Sequence, residues 1–118
     1  MNKQEIFNKV FLGLKSQGFQ QSVNKHNVCQ YRGEGGLKCA VGHLIPDEIY
    51  NKEWDDETTL ADALPPHVYD AMGISADFGA SVDFLMQLQD IHDNYDVPER
   101  MEDYYRQFAL ARGLTVPE

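Results

Sequence analysis

Cys39 and His43 stand four residues apart in the segment VCQYRGEGGLKCAVGHLIPDEIY, residues 28–50. On a helix that spacing puts a thiol and an imidazole on one face, a turn apart. A cysteine in the first helical turn meets free N–H groups and the positive end of the dipole, which favour the thiolate. His43, or His92 further along the chain, would then act as base, with Asp93 or Asp90 orienting the imidazole. Cys39, His43, His92 and Asp93 are therefore the candidate catalytic set of a thiol-dependent hydrolase or transferase. No nucleophile signature of a known cysteine enzyme accompanies them. The competing reading makes Cys39 a small buried core residue. It also makes His92, four residues after Leu88 and seven after Leu85, a hydrogen-bonded structural histidine on the edge of an apolar face.

The same residues admit a second chemistry. His26, Cys29, Cys39 and His43 are four zinc-competent side chains, and the glycine turn at 33–36 would fold the two cysteines together. Their order is not that of a standard zinc finger. The acids Asp55, Asp56 and Glu57, and the series Asp90, Asp93, Asp96 and Glu99, lack the glycine and alternating spacing of a calcium loop. The glycine turn is not followed by Lys-Ser/Thr, so it is no phosphate-binding loop. The sequence thus assigns no cofactor and no metal, with a small structural zinc module as an alternative.

Charge suggests a third role. Nineteen acids against ten Lys/Arg give a net charge of −9, and the excess is uneven. Residues 1–38 sum to +4 and residues 39–118 to −13. Such a surface repels nucleic-acid phosphates and argues against direct DNA or RNA binding. Tyr50, Trp54, Asp55, Asp56 and Glu57 place two aromatics among acids, the composition of a contact patch for a basic partner protein. The alternatives are a Trp54 folded over the core and acids that only keep the protein soluble.

The elements that must position these groups read as mainly helical. A chain of 118 residues with 42% hydrophobic residues and thirteen aromatics suits one domain, 1–118, with a real core. No apolar run approaches the length that crosses a bilayer, and the first ten residues show no leader-like apolar stretch. Two cysteines in such a chain suggest free thiols in a reducing cytoplasm.

Ile6, Phe7, Val10, Phe11 and Leu14 predict a helix over 3–17, capped by Asn2 with Glu5 and stopped by Gly18. Leu37, Ala40, Val41, Leu44 and Ile45 fit a helix over 37–45, ended by Pro46. The alternative pairs 28–32 with 37–41 as a short hairpin. Further helices are expected from Thr58 or Thr59 to Leu64, from Pro66 to Met72 before Gly73, and from Asp77 to Asp93. The last helix is capped by Asp96 and Glu99, with Met101, Tyr104, Tyr105, Phe108 and Ala111 inward. Gly113 and Leu114 close it. The expectation is a compact fold of four to six helices.

The run Cys-x-Tyr-Arg-Gly-x-x-Gly-Leu-Lys-Cys-Ala-Val-Gly-x-Leu-Ile-Pro-Asp-Glu at 29–48 resembles an uncharacterised family of small bacterial, phage and prophage proteins. Gln21-Ser22-Val23, Leu88-Gln89-x-x-His92-Asp93 and the closing helix before Gly113-Leu114 fit the same pattern, so the resemblance spans most of the chain. That family carries Cys or Met at the place of His43. The resemblance implies an accessory protein of a mobile element in a bacterial cytoplasm. With the acidic surface, it leads to a non-enzymatic protein that binds, and inhibits, a host or defence factor with a basic surface.

Overall fold

The computed structural model describes residues 2–23, 29–51, 66–73 and 78–117. Helix α1, Lys3–Ser16, begins with the capping box expected from its sequence. Glu5 N–H donates to Asn2 Oδ1 at 2.8 Å, and Asn2 N–H donates to Glu5 Oε1 at 3.0 Å. Ile6, Phe7, Val10, Phe11 and Leu14 all face inward and are at most 1% exposed. The helix closes at Gly18 with a Schellman turn in which Phe19 N–H donates to Leu14 O at 2.8 Å. Phe19 holds a left-handed φ of 56° because its ring is buried edge-on against Phe11, centroids 5.3 Å apart.

Three further helices follow. The short α2, Pro66–Ala71, buries Val68 and Tyr69, with Met72 behind them. Helix α3 is Phe78–Asn94 and α4 is Pro98–Ala111. Three long helices thus carry the architecture where four to six were expected, since α2 is only six residues. The helix expected between Thr58 and Leu64 lies outside the described residues. In α4 two expectations are corrected. Pro98 occupies the first helical position, so the cap falls at Val97, and Asp96 with Glu99 makes no capping box. The inward stripe is Met101, Tyr105, Phe108 and Ala109; Tyr104 and Ala111 are exposed, and the Tyr104 ring stacks on Tyr95 at 4.1 Å.

The segment 37–45 departs most from expectation. It is neither a nine-residue helix nor a hairpin strand: only Val41–His43 coil, as one 3-10 turn. Arg32 and Lys38 form a single antiparallel bridge, Gly33 N–H donates to Leu37 O at 2.9 Å, and Cys39 N–H donates to Tyr31 O at 3.2 Å. Among the described residues no strand ladder grows from these bonds. Gly35 and Gly36, with φ of 71° and 80°, reverse the chain just before this stretch.

The reason the helix fails is tertiary. Gln17, on the first turn after α1, holds Lys38 as a neighbouring strand would. Its Oε1 accepts from Lys38 N–H at 3.1 Å and its Nε2 donates to Lys38 O at 2.7 Å. Gly42 then packs on Tyr31 so closely that a Cβ there would lie 2.0 Å from the Tyr31 carbonyl oxygen. Peptide groups that a helix would pair locally are paired across the fold instead.

The turn at 41–43, α3 and α4 all pack on α1, and the buried side chains form one cluster. Phe7 stacks with Phe11 and Phe108, and Phe84 packs on Phe108 at 5.6 Å. Among the described residues, no helix is long and apolar enough to cross a membrane.

Candidate functional site

His92 lies on the inward face of α3, a turn beyond Leu88, and is 0% exposed. Its ring is fixed from both sides. Ser22 N–H donates to Nε2 at 2.9 Å, and Nδ1 stands 2.8 Å from Asp93 Oδ1. A backbone N–H can only donate, so Nε2 presents a lone pair and the proton of the neutral ring sits on Nδ1, pointing at Asp93.

Asp93 is a hub. It accepts from His92 Nδ1–H, from Gln89 Nε2 at 2.9 Å, and from the Cys29 thiol. Gln89 is oriented by Val41 N–H, which donates to its Oε1 at 3.1 Å. Gln21 Nε2 donates to the carbonyls of both His92 and Asp93 at 3.0 Å, supplying partners at the end of α3 where helical carbonyls lack them. Ser22 Oγ donates to Gln30 O at 2.9 Å, and Gln30 N–H returns a bond to Ser22 O. Beneath the network, Tyr105 O–H donates to Leu88 O at 2.6 Å, and burial holds that phenol well above its usual range. Side chains and backbone N–H groups from four separated stretches, 21–22, 29, 41 and 89–93, are thus tied at one junction.

The electrostatics oppose nucleophilic use. Burial, then the charge of Asp93 and its hydrogen bond, push the Cys29 thiol up from 9.0 to about 12. A thiol facing a carboxylate is held protonated, the reverse of an activated cysteine. In a thiol triad the imidazole stands between thiol and carboxylate. Here the carboxylate stands in the middle, and both imidazole nitrogens are engaged by the fold.

Cys29, His92 and Asp93 are also the one group of three metal-competent side chains among the described residues, their ligand atoms within 4.8 Å of one another. The tautomer argues against a metal. With Nε2 accepting from Ser22, Nδ1 carries the proton and has no lone pair to give. Cys29 and Asp93 alone fall short of the four ligands of a structural zinc site. The cluster is better described as a hydrogen-bonded lock that joins residues 21–22 and Cys29 to the end of α3.

The other residues singled out in the sequence are placed as follows. Cys39 is 0% exposed and begins no α-helix, so the dipole that was to activate it is missing; its Sγ accepts from Gly42 N–H at 3.3 Å. His43 packs against Gly13 of α1 and shares a 3.0 Å hydrogen bond with Gln17 Oε1. That oxygen already accepts from Lys38 N–H, so His43 Nε2 is the donor. Burial, with the charges of Lys38 and His92, lowers the His43 pKa to about 4. His43 is therefore a neutral bracing residue at physiological pH.

His92 and Asp93 do meet, but as parts of the lock. Among the described residues, no metal-competent triple includes Cys39 or His43. Tyr50 is half-buried and carries the Arg32 guanidinium 4.3 Å from its ring centroid, while Arg32 also pairs with Asp47 at 2.7 Å. His26, Trp54, Asp55, Asp56 and Glu57 lie outside the described residues. Gln17, Gln21, Ser22 and Gln89, whose side chains do most of the tying, carry no chemistry-bearing signal in the sequence. Three of them belong to the stretches on which the family resemblance rests.

Above the lock the surface turns acidic. Asp90, Asp96, Glu99 and Asp103 are exposed around the α3–α4 corner. Among the described residues, ion pairs join Arg32 and Lys38 to Asp47 and Arg106 to Glu102, and none involves Asp90, Asp96 or Glu99. The Tyr95–Tyr104 stack and Val97, 43% exposed, stand among these acids.

No protein-family model, curated protein or solved structure matches this chain.

Proposed function

We propose that the protein is an acidic accessory protein of phage or prophage type that works by binding another protein. Its contact surface on this reading is the α3–α4 corner, with Asp90, Asp96 and Glu99 around the Tyr95–Tyr104 stack. One observation carries the proposal: in a chain of net charge −9, these exposed acids have no cation partner among the described residues and surround an accessible aromatic pair. Aromatics ringed by unpaired charge of one sign suit a partner of the opposite sign. His43, His92, Cys29 and Cys39 support the same view, because each is bonded into the fold rather than free for turnover. The resemblance to mobile-element proteins makes a host or defence factor with a basic surface the expected partner, inhibited by occupation of that surface. Trp54 and the acids at 55–57 belong to the proposal as a second contact.

The test is capture of a partner from bacterial lysate by the immobilised protein, against a D90K/D96K/E99K variant of unchanged melting temperature. The partner should be lost with the variant and should elute as salt rises from about 50 to 500 mM, where the Debye length shrinks several-fold. Capture indifferent to both changes would refute an electrostatic interface.

A further inference from the structure

An open cleft of about 420 Å³ lies between the start of α1, the middle of α3 and the end of α4. Lys3, Asp83, Phe84, Gln87, Arg112 and Leu114 line it. We propose that this cleft is a binding site for a small aromatic monocarboxylate.

The charge on the walls is the first argument. The chain has nearly twice as many acids as bases, yet two of its ten bases, Lys3 and Arg112, meet in this cleft. Among the described residues, neither makes an ion pair, not even with the neighbouring Asp83. Among the described residues that line it, two cations and one carboxylate leave a single positive charge, which matches a monoanion and penalises a dianion.

The floor is the second argument. Leu114 is part-buried and lines the cleft beside the edge of Phe84, which is 4% exposed, so apolar side chains lie beneath a charged rim. Lys3 Nζ stands 5.8 Å from the Phe84 ring centroid, and the Arg112 guanidinium lies 3.8 Å from that of Phe108. Gln87 Oε1 accepts from Arg112 Nη2, which aims the planar guanidinium while leaving its other N–H groups for a carboxylate.

The walls are also held in place. Gln4 of α1 clamps Thr115 by both backbone groups: Nε2 donates to Thr115 O at 2.9 Å, and Thr115 N–H donates to Oε1 at 2.9 Å. Leu114 N–H donates to Ala109 O at 2.9 Å. The segment that supplies one wall is therefore pinned to the helix that supplies another. The volume falls in the range of small-molecule sites, and an apolar floor with a few convergent polar groups is their usual composition.

The experiment is titration of the isotope-labelled whole protein with 3-phenylpropionate, followed by amide NMR and checked by calorimetry. The acid should bind with Kd of about 0.1–1 mM, as expected for a ligand of this size, and should shift the amides of Phe84, Gln87 and Leu114. R112Q should weaken it about tenfold, the worth of a charge-assisted hydrogen bond, and K3Q by a smaller factor. Lys3 and Arg112 are both exposed, so the variants should fold, and K3Q serves alone should R112Q lower the melting temperature. Neutral 3-phenylpropanamide and inorganic phosphate should each bind at least tenfold more weakly. Equal binding of the amide, equal binding of phosphate, shifts elsewhere, or affinity unchanged in both variants would overturn the assignment.

Discussion

Replacing His92 with Ala tests the lock directly. The substitution leaves Ser22 N–H buried without an acceptor, which costs about 1–3 kcal/mol. It also leaves a void the size of an imidazole, roughly 60 Å³, worth about 1.5 kcal/mol at ~24 cal/mol per Å³. Asp93 loses one donor but keeps Gln89 and remains part-exposed, so that loss adds little. The sum is about 2.5–4.5 kcal/mol, a large share of the ~5–15 kcal/mol that stabilises a domain. For a chain of this length, that lowers Tm by roughly 10–20 °C. H92Q should recover part of the loss, because the Gln oxygen reaches the place of Nε2 and can accept from Ser22. H92N should recover less, because its short amide cannot. Thermal melts and urea titrations of the three variants give the order. Ring nitrogen shifts in the unmodified protein should report the proton on Nδ1. An H92A protein melting within about 5 °C of the parent, or a ring protonated at Nε2, would refute the reasoning.

Three other outcomes follow from the same geometry. Gly42→Ala should cost more than about 3 kcal/mol, because the new methyl meets the Tyr31 carbonyl at 2.0 Å and backbone must move; Gly18→Ala, with open space but a left-handed φ, should cost only about 1 kcal/mol. Comparable urea midpoints for the two would contradict the close packing. With its thiol at about 12 instead of 9.0, Cys29 should be alkylated by iodoacetamide at pH 8 about a thousandfold more slowly in the folded than in the unfolded chain, read by mass spectrometry; rates within tenfold would contradict a thiol held protonated by burial and Asp93. The folded His43 takes its proton near pH 4 and the unfolded one near 6.5, so the unfolded chain binds more protons between those values. Stability should therefore fall by about 1–2 kcal/mol, after allowance for solvent screening, as pH drops through that window, and H43Q should flatten that part of the profile.

Much of this fold is legible in the sequence because it is local. Asn2 with Glu5, the apolar stripe of α1 and the Gly113-Leu114 stop are decided within one or two turns, and each stands where its residue types place it. The beginning of α4 misled by one residue, since Pro98 outranks Asp96 in setting the first turn.

The site was legible only as an inventory. Histidine, cysteine and aspartate could be read off as chemistry-bearing, but their partners are glutamine, serine and backbone groups many positions away. Cys39 Sγ accepts from Gly42 N–H, and Cys29 answers to Asp93, sixty-four residues on.

The amino-acid pattern by itself determined the long helices, the cap of α1 and the acidic excess, because propensity, capping and charge act at short range. Tertiary structure decided the fate of 37–45, the tautomer of His92 and the neutrality of Cys29. A side chain such as Gln17 can satisfy a peptide group in place of a helical neighbour only once the chain has brought the two together, and no local pattern records that meeting.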